Sequence, residues 1–341
     1  MISPGWYLRL KAPGFWQRPP GLIAGLLAPV AKRYGEKVVA RMTRSGTRAA
    51  MPVLCIGNFT LGGAGKTPLA LMIAELLRQA GETPAFLTRG YGGSVRGPAL
   101  VAASDTAVLV GDEALLLAAV APTIVCADRV AGAALAAKSG ASILVMDDGF
   151  QNPTLTKDCS IVAVDGETGI GNGLTFPAGP LRAPIHAQMP FASAVVVIGP
   201  GDAGTRVLDF ARGSGCEVFR ARLGVEAAAP ALQGKRVLAF AGIGRPQKFF
   251  KTLAELGAVI VASEVFADHH PFSERDAARI AMRAQAEKLV PVTTTKDITR
   301  LTGGPARDAL ASMTSTVPVR LILDDEAAMR RFLARMFKLK G

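Results

Sequence analysis

Residues 52 to 77 read PVLCIGNFTLGGAGKTPLALMIAELL, and no other stretch limits the possible folds so sharply. An apolar, β-rich run from Val53 to Ile56 feeds the turn Gly62-Gly63-Ala64-Gly65. Lys66 and Thr67 follow, then apolar residues at helical spacing: Leu69, Ile73, Leu76 and Leu77. Strand, glycine loop and helix in that order make a phosphate-binding loop. Glycines let backbone N–H groups turn onto phosphate oxygens, and the helix N-terminus adds partial positive charge. Lys66 is placed to reach the β- and γ-phosphates, and the Thr67 hydroxyl to hold Mg²⁺. The usual G-x-x-x-x-G-K-[ST] begins with glycine where this chain has Thr60, so the loop is the GG-x-GKT variant, with Gly62 and Gly63 supplying the flexibility. A glycine-rich turn ahead of an ordinary helix is the competing reading, and the flanking order argues against it.

Downstream, apolar runs alternate with helical patterns. Strands are expected over 84–90, 122–129, 142–151, 159–167, 193–199, 258–266, 291–297 and 317–323, and residues 235–257 repeat the strand, glycine turn and helix. Residues 107–120 read as extended before Gly111 and helical after it, and 325–338 as a closing basic helix. Ser273 and Asp276 have the spacing of a capping box. The expected fold is α/β: a P-loop NTPase-like, mostly parallel sheet with helices on both faces, a smaller C-terminal α/β subdomain and an N-terminal amphipathic helical segment. The divisions are a basic, membrane-associated segment at 1–50, the phosphate-loop core at 51–200, and a part at 201–341 carrying Asp268-His269-His270. The boundary is soft, somewhere in 185–230.

With 341 residues the chain has room for about two domains. Its four cysteines (Cys55, Cys126, Cys159, Cys216) form no C-x-x-C pair and sit in or beside apolar runs, as reduced thiols of a cytoplasmic protein do. Three histidines argue against a histidine-rich metal site. Residues 1–50 hold nine Lys/Arg against one acid, +8 of the chain's net +12. Trp6, Tyr7, Leu8, Phe15, Trp16 and GLIAGLLAPVA at 21–31 interleave with those charges. The apolar run is shorter than the ~20 residues a spanning helix needs. A segment lying in the interface of an anionic membrane fits it, with a helix hairpin packed on the body as the alternative. No nucleic-acid recognition motif accompanies the charge, so nucleic acid is not the expected partner.

Polar residues at strand ends are the site candidates in a doubly wound sheet. Asp147 and Asp148 end an apolar strand, where a carboxylate would hold Mg²⁺, although two acids in an ordinary turn would look alike. Gln151 lies on the same turn. Asp112 follows Gly111 at a helix start, and is either a cap or a general base with His269 as its partner.

Taken together, VLCIGNFTLGGAGKTP, TRGYGG, GDEALLLA, MDDGFQNPTL, GNGLTFPAGPLRAP, AFAGIGRPQKFF, FADHHPFS and TTTKD resemble the tetraacyldisaccharide 4′-kinases, in that family's order, from residue 53 to 297. The resemblance implies transfer of the ATP γ-phosphate to the 4′-hydroxyl of an acylated glucosamine disaccharide 1-phosphate, giving lipid IVA. It implies peripheral attachment at the cytoplasmic face of the bacterial inner membrane, with ATP and Mg²⁺ required. ATP would sit on Thr60, Leu61, Gly62, Gly63, Ala64, Gly65, Lys66 and Thr67. Asp112, His269 and Lys66 would be catalytic; Thr67, Asp147, Asp148 and Gln151 would serve the metal. Arg89, Tyr91, Asn172 and Arg182 would meet the substrate. Three departures stand out: Asn152 replaces the family's histidine, Ala183 the acid of P-L-R-E-P, and Thr295 the acid of T-T-E-K-D. The rival reading is a GG-x-GKT nucleotide-hydrolysing switch or metallochaperone-type NTPase, which needs no acceptor hydroxyl.

Overall fold

Strand β1 (Val53–Asn58) is buried at every position, as a central strand covered by helices on both faces must be. It belongs to a computed structural model that describes residues 12–227 and 229–339. The chain continues through β2 (Pro84–Thr88), β3 (Ala99–Leu100), β4 (Thr123–Val125), β5 (Ile143–Asp147), β6 (Cys159–Asp165), β7 (Ala194–Ile198) and β8 (Glu217–Val225). A second group follows: β9 (Arg236–Ala241), β10 (Val259–Val265), β11 (Val290–Thr294) and β12 (Ser315–Val317). Strand β13 (Val319–Leu323) then returns to the first group.

The first sheet has the order β13-β8-β7-β6-β1-β5-β2-β4-β3, parallel except for its two antiparallel edges, β13 and β3. The second, β10-β9-β11-β12, is parallel throughout. Sheet membership therefore runs differently from a division at residue 200. Pro318 separates two strands of different sheets where one strand over 317–323 was expected, because β12 pairs with β11 and β13 with β8. Residues 107–110 also differ from expectation. They form a helical turn, Ala107–Val110, closed by Gly111 at φ 90°, where an added Cβ would lie 2.5 Å from the Tyr91 carbonyl oxygen.

Apolar side chains fill both faces of the first sheet, and the helix Lys66–Gln79 buries Leu69, Ile73, Leu76 and Leu77 against it, the four positions that its spacing marked. Because β1 lies between β5 and β6, its carboxyl end opens at the point where the strand order reverses, the usual ligand crevice of such sheets.

Trp6, Tyr7 and Leu8 lie outside the described residues. The helix Leu22–Met42 buries Ala24, Ala31, Gly35, Val38 and Met42, partly against the 169–184 loop, where Ala178 and Leu174 pack on it. Leu22, Ile23, Leu26 and Val30 remain exposed, as do Lys32, Arg33, Lys37 and Arg41. No helix among the described residues is long and apolar enough to cross a membrane.

Candidate active site

The phosphate loop stands where its sequence put it, with one redistribution. Gly62 (φ 104°) and Gly65 (φ 84°) take left-handed conformations, and a Cβ on Gly65 would come within 2.7 Å of Ile198 Cδ1. Gly63 does neither, so the conformational demand falls on positions 62 and 65 rather than on the adjacent pair. Asn58 Nδ2 donates to the Gly62 carbonyl at 3.1 Å. Leu61 N donates to Pro180 O at 2.8 Å and Arg182 Nε to Thr60 O at 3.1 Å, which ties the loop to the 169–184 segment. Ala64 is buried beneath it, and Lys66 and Thr67 open the helix.

At the end of β5 the two aspartates part ways. Asp148 has φ 51°, a conformation costly for a residue with a side chain, and meets Arg182 at 3.0 Å and Lys66 at 3.8 Å. Burial would raise its pKa, yet Arg182 and Lys66 outweigh that and hold it well below the usual carboxylate range. Asp147 is buried with Oδ1 unpartnered; burial, and next the Glu113 charge, push its pKa up to about 7. An orphaned buried carboxylate oxygen beside a phosphate loop suits a divalent cation. No cluster of three or more His, Cys, Asp or Glu among the described residues forms a metal cage. Mg²⁺ needs none, since it takes one or two carboxylates together with phosphate oxygens and water. Gln151 is recast. Its Nε2 donates to Asn58 O (2.8 Å) and Gln188 Oε1 (3.0 Å), while Oε1 accepts from Arg182 (3.0 Å). It braces Arg182 rather than standing free for a metal.

Asp112 and His269 meet across the two sheets. Asp112 opens the helix Asp112–Ala118, beside β4, whereas His269 follows β10, and Nδ1 lies 3.1 and 3.0 Å from the two carboxylate oxygens. Asp112 is 4% exposed; it also accepts from Glu113 N (2.9 Å) and is ion-paired with Arg300, whose Nε lies 3.2 Å from Oδ2. Burial opposes its charge, but the His269 hydrogen bond, then Lys296 and Arg300, bring the pKa down to about 2. His269 itself has φ 57° and stacks edge-on against Tyr91 with ring centroids 5.3 Å apart. Glu113, next to Asp112, contacts Lys296 at 3.2 Å, and its charge helps to raise the pKa of Asp147 at the end of β5.

Several participants carried no sequence signal. Arg300, nearly fully buried, joins Asp112 to Asp297 (2.8 Å) and to the carbonyls of Gly242 and His270. Arg245 and Lys248, in and beside the start of the helix Pro246–Glu255, grip Asp165 at the end of β6. Single charged residues in unremarkable stretches gain meaning only once the sheets are docked. Among the expected substrate contacts, Arg89 is exposed at the end of β2, and Arg182 has turned to the phosphate side. Asn172 is spent inside its loop, donating to Ala178 O (2.9 Å) and accepting from Leu174 N (3.1 Å), so it shapes the loop. Of the departures, Asn152 accepts from Thr154 N and Oγ1, Ala183 is buried, and Thr295 Oγ1 is buried without a partner.

Comparison with known proteins gives this geometry its context. The family model described as tetraacyldisaccharide-1-P 4'-kinase (LpxK) matches residues 23–338. A tetraacyldisaccharide 4'-kinase of Methylorubrum populi is 54% identical over 327 residues, covering 95% of this chain and 98% of the relative. One from Rhodopseudomonas palustris is 48% identical over 340 residues, with 97% and 99% covered. Among solved structures, LpxK from Aquifex aeolicus in complex with ATP superposes with a TM-score of 0.73 at 23% identity, covering 93% of this chain and all of that one, a likeness of fold.

Proposed function

Because this chain belongs to the tetraacyldisaccharide-1-P 4'-kinase family, we propose the following reaction and division of labour for it. The protein is a kinase of lipid A biosynthesis: it transfers the γ-phosphoryl group of ATP to the 4′-hydroxyl of a tetraacyldisaccharide 1-phosphate, giving lipid IVA and ADP. The bond formed joins the sugar oxygen to Pγ, the bond broken is the β–γ bridge, and the hydroxyl proton goes to Asp112.

Backbone N–H groups of residues 62–67 and the N-terminus of the helix Lys66–Gln79 cradle the phosphates. Lys66 neutralises the β- and γ-oxygens, and Arg182 stands beside it across Asp148. Mg²⁺, when bound, would be held by Thr67, Asp147 and Asp148 and would supply charge neutralisation on the phosphates. Asp112, ionised and fixed by His269 and Arg300, accepts a hydrogen bond from the sugar hydroxyl and aims it. A carboxylate of such low pKa is a weak base toward a resting alcohol. A loose transition state relieves that weakness, because the hydroxyl becomes acidic only as the new P–O bond forms. The proton therefore moves late, onto Asp112, while His269 keeps its hydrogen bond to that carboxylate.

The exposed apolar residues Leu22, Ile23, Leu26 and Val30, next to Lys32, Arg33, Lys37 and Arg41, suit a peripheral seat on an anionic membrane, at the cytoplasmic face where ATP is available. One observation carries the kinase reading: a buried aspartate is paired with a half-buried histidine from the second sheet, and its neighbour Glu113 acts electrostatically on Asp147 at the end of β5, an arrangement a simple hydrolytic switch does not need. The test is γ-labelled ATP with the disaccharide 1-phosphate. Label on the lipid with the wild type, and none with Lys66→Ala, is expected. Hydrolysis alone, stimulated by a protein partner, would favour the nucleotide switch.

A further inference from the structure

Both ring nitrogens of His269 are engaged, and the two partners permit one placement of the ring proton. Nδ1 faces the Asp112 carboxylate at 3.0 Å, and Nε2 lies 3.1 Å from Lys296 Nζ. An ammonium group donates and never accepts. Nε2 therefore accepts, and the proton on Nδ1 is donated to Asp112. Lys296 is itself held from the other side of the cleft by Glu113 Oε1 at 3.2 Å. The charged groups around the ring are Asp112 and Glu113 on one helix, Asp268 at 3.9 Å from Nε2, and Lys296 and Arg300 from the second lobe. Burial works against the Lys296 ammonium, but Glu113, Asp112 and Asp268 outweigh it and raise its pKa above the ordinary value, so it remains a donor.

We infer that Lys296 is a positioning residue for the transfer: it caps Nε2, fixes the His269 ring as the Nδ1–H tautomer, and leaves Asp112 as the group that receives the hydroxyl proton. With Nε2 uncapped, the Asp112–His269 pair would have the layout of a relay in which the imidazole takes the proton and the carboxylate only orients it. Lys296 closes that route. The assignment of the proton rests on the kinase reading above; the tautomer does not.

The two parts are tested separately on the full-length protein. Labelling with ¹⁵N-histidine gives three residues to resolve, His186, His269 and His270, and His269→Asn assigns the signal. The wild type is expected to show a protonated Nδ1 and a bare Nε2. Lys296→Met should bring in the doubly protonated ring, since Nδ1–H stays on Asp112 and Nε2 is freed to take a second proton, whereas Lys296→Arg, still a donor, should retain the wild-type pattern. In the lipid assay Lys296→Met should lower kcat by about 10- to 100-fold, with the KM for ATP little changed and a new limb in the pH–rate profile. A wild-type spectrum showing Nε2–H overturns the inference, as does a Lys296→Met protein with unaltered spectrum and pH profile. The wild-type spectrum needs no variant, so a misfolded Lys296→Met leaves the question decidable. A wild type that labels no lipid would strike the kinase reading alone.

Discussion

His269 Nδ1 and the carboxylate of Asp112 lie 3.0 Å apart although they are carried by different sheets. The pair thus exists only while the two lobes are docked, and whatever holds the lobes together also assembles the proposed acceptor half of the site.

Arg245 and Lys248 are the clearest such hold, reaching from the second lobe to Asp165 and Glu167 on the first. Their side chains are 35% and 40% exposed, so water and salt weaken the attraction. The double variant Arg245→Ala/Lys248→Ala should lose no more than about 1 kcal/mol of stability. Its kcat/KM for the lipid should fall by a larger factor, and the wild-type kcat/KM should decline with added salt more steeply than the variant's. Thermal unfolding and steady-state kinetics at two salt concentrations check this.

Arg300 behaves differently because it is buried with its partners. Arg300→Met strands the carboxylates of Asp112 and Asp297 and should cost about 3–5 kcal/mol, visible as a large drop in Tm. The pH dependence follows in sign. Asp112 is brought from 3.8 down to about 2 on folding, so its contribution is complete above about pH 4 and is lost as pH falls toward 2. That contribution is on the order of 2 kcal/mol. Denaturant midpoints of the wild type and Arg300→Met should accordingly converge in acid.

Asp147 has the opposite sign. With a folded pKa of about 7, it holds a proton that the unfolded chain has released, and its effect on the metal-free protein becomes less favourable as pH rises from about 4 to 7. Mg²⁺ held by Asp147, as proposed above, would have to displace that proton. The rise in Tm given by Mg²⁺ with nucleotide should be larger at pH 8 than at pH 6, and Asp147→Asn should flatten the difference while stabilising the metal-free protein at neutral pH.

Gly65 sits at φ 84° against Ile198, so Gly65→Ala meets both backbone strain and a clash. The strain alone is worth about 1–2 kcal/mol. A lower Tm and weakened ATP binding by calorimetry are expected.

The parts of this molecule that could be read from the chain are those in which neighbours in sequence act together. β1, the glycine loop and the helix Lys66–Gln79 are contiguous, and Asp147 and Asp148 follow their strand directly. For Asp112 the chain leaves two readings, a helix cap or a base partnered by His269, since no local pattern links residues that far apart. Arg300 and the Lys296–Glu113 contact gave no warning, because each is one charged residue whose partner arrives through lobe docking. The break at Pro318 was hidden for a related reason: β12 and β13 are one apolar run in sequence, and only their pairing partners assign them to different sheets. Gln151 and Asn172 looked like ligand contacts because polar residues in glycine-rich turns do, whereas their amides are consumed by nearby carbonyls and side chains.

In the proposed transfer Asp112 serves the sugar hydroxyl and Lys66 the phosphate. The most direct measurement is kcat for movement of label from γ-labelled ATP to the disaccharide, for wild type and Asp112→Asn, with ATP binding recorded alongside. A fall of about 10²- to 10⁴-fold with ATP affinity preserved is expected. Wild-type transfer by Asp112→Asn would contradict it.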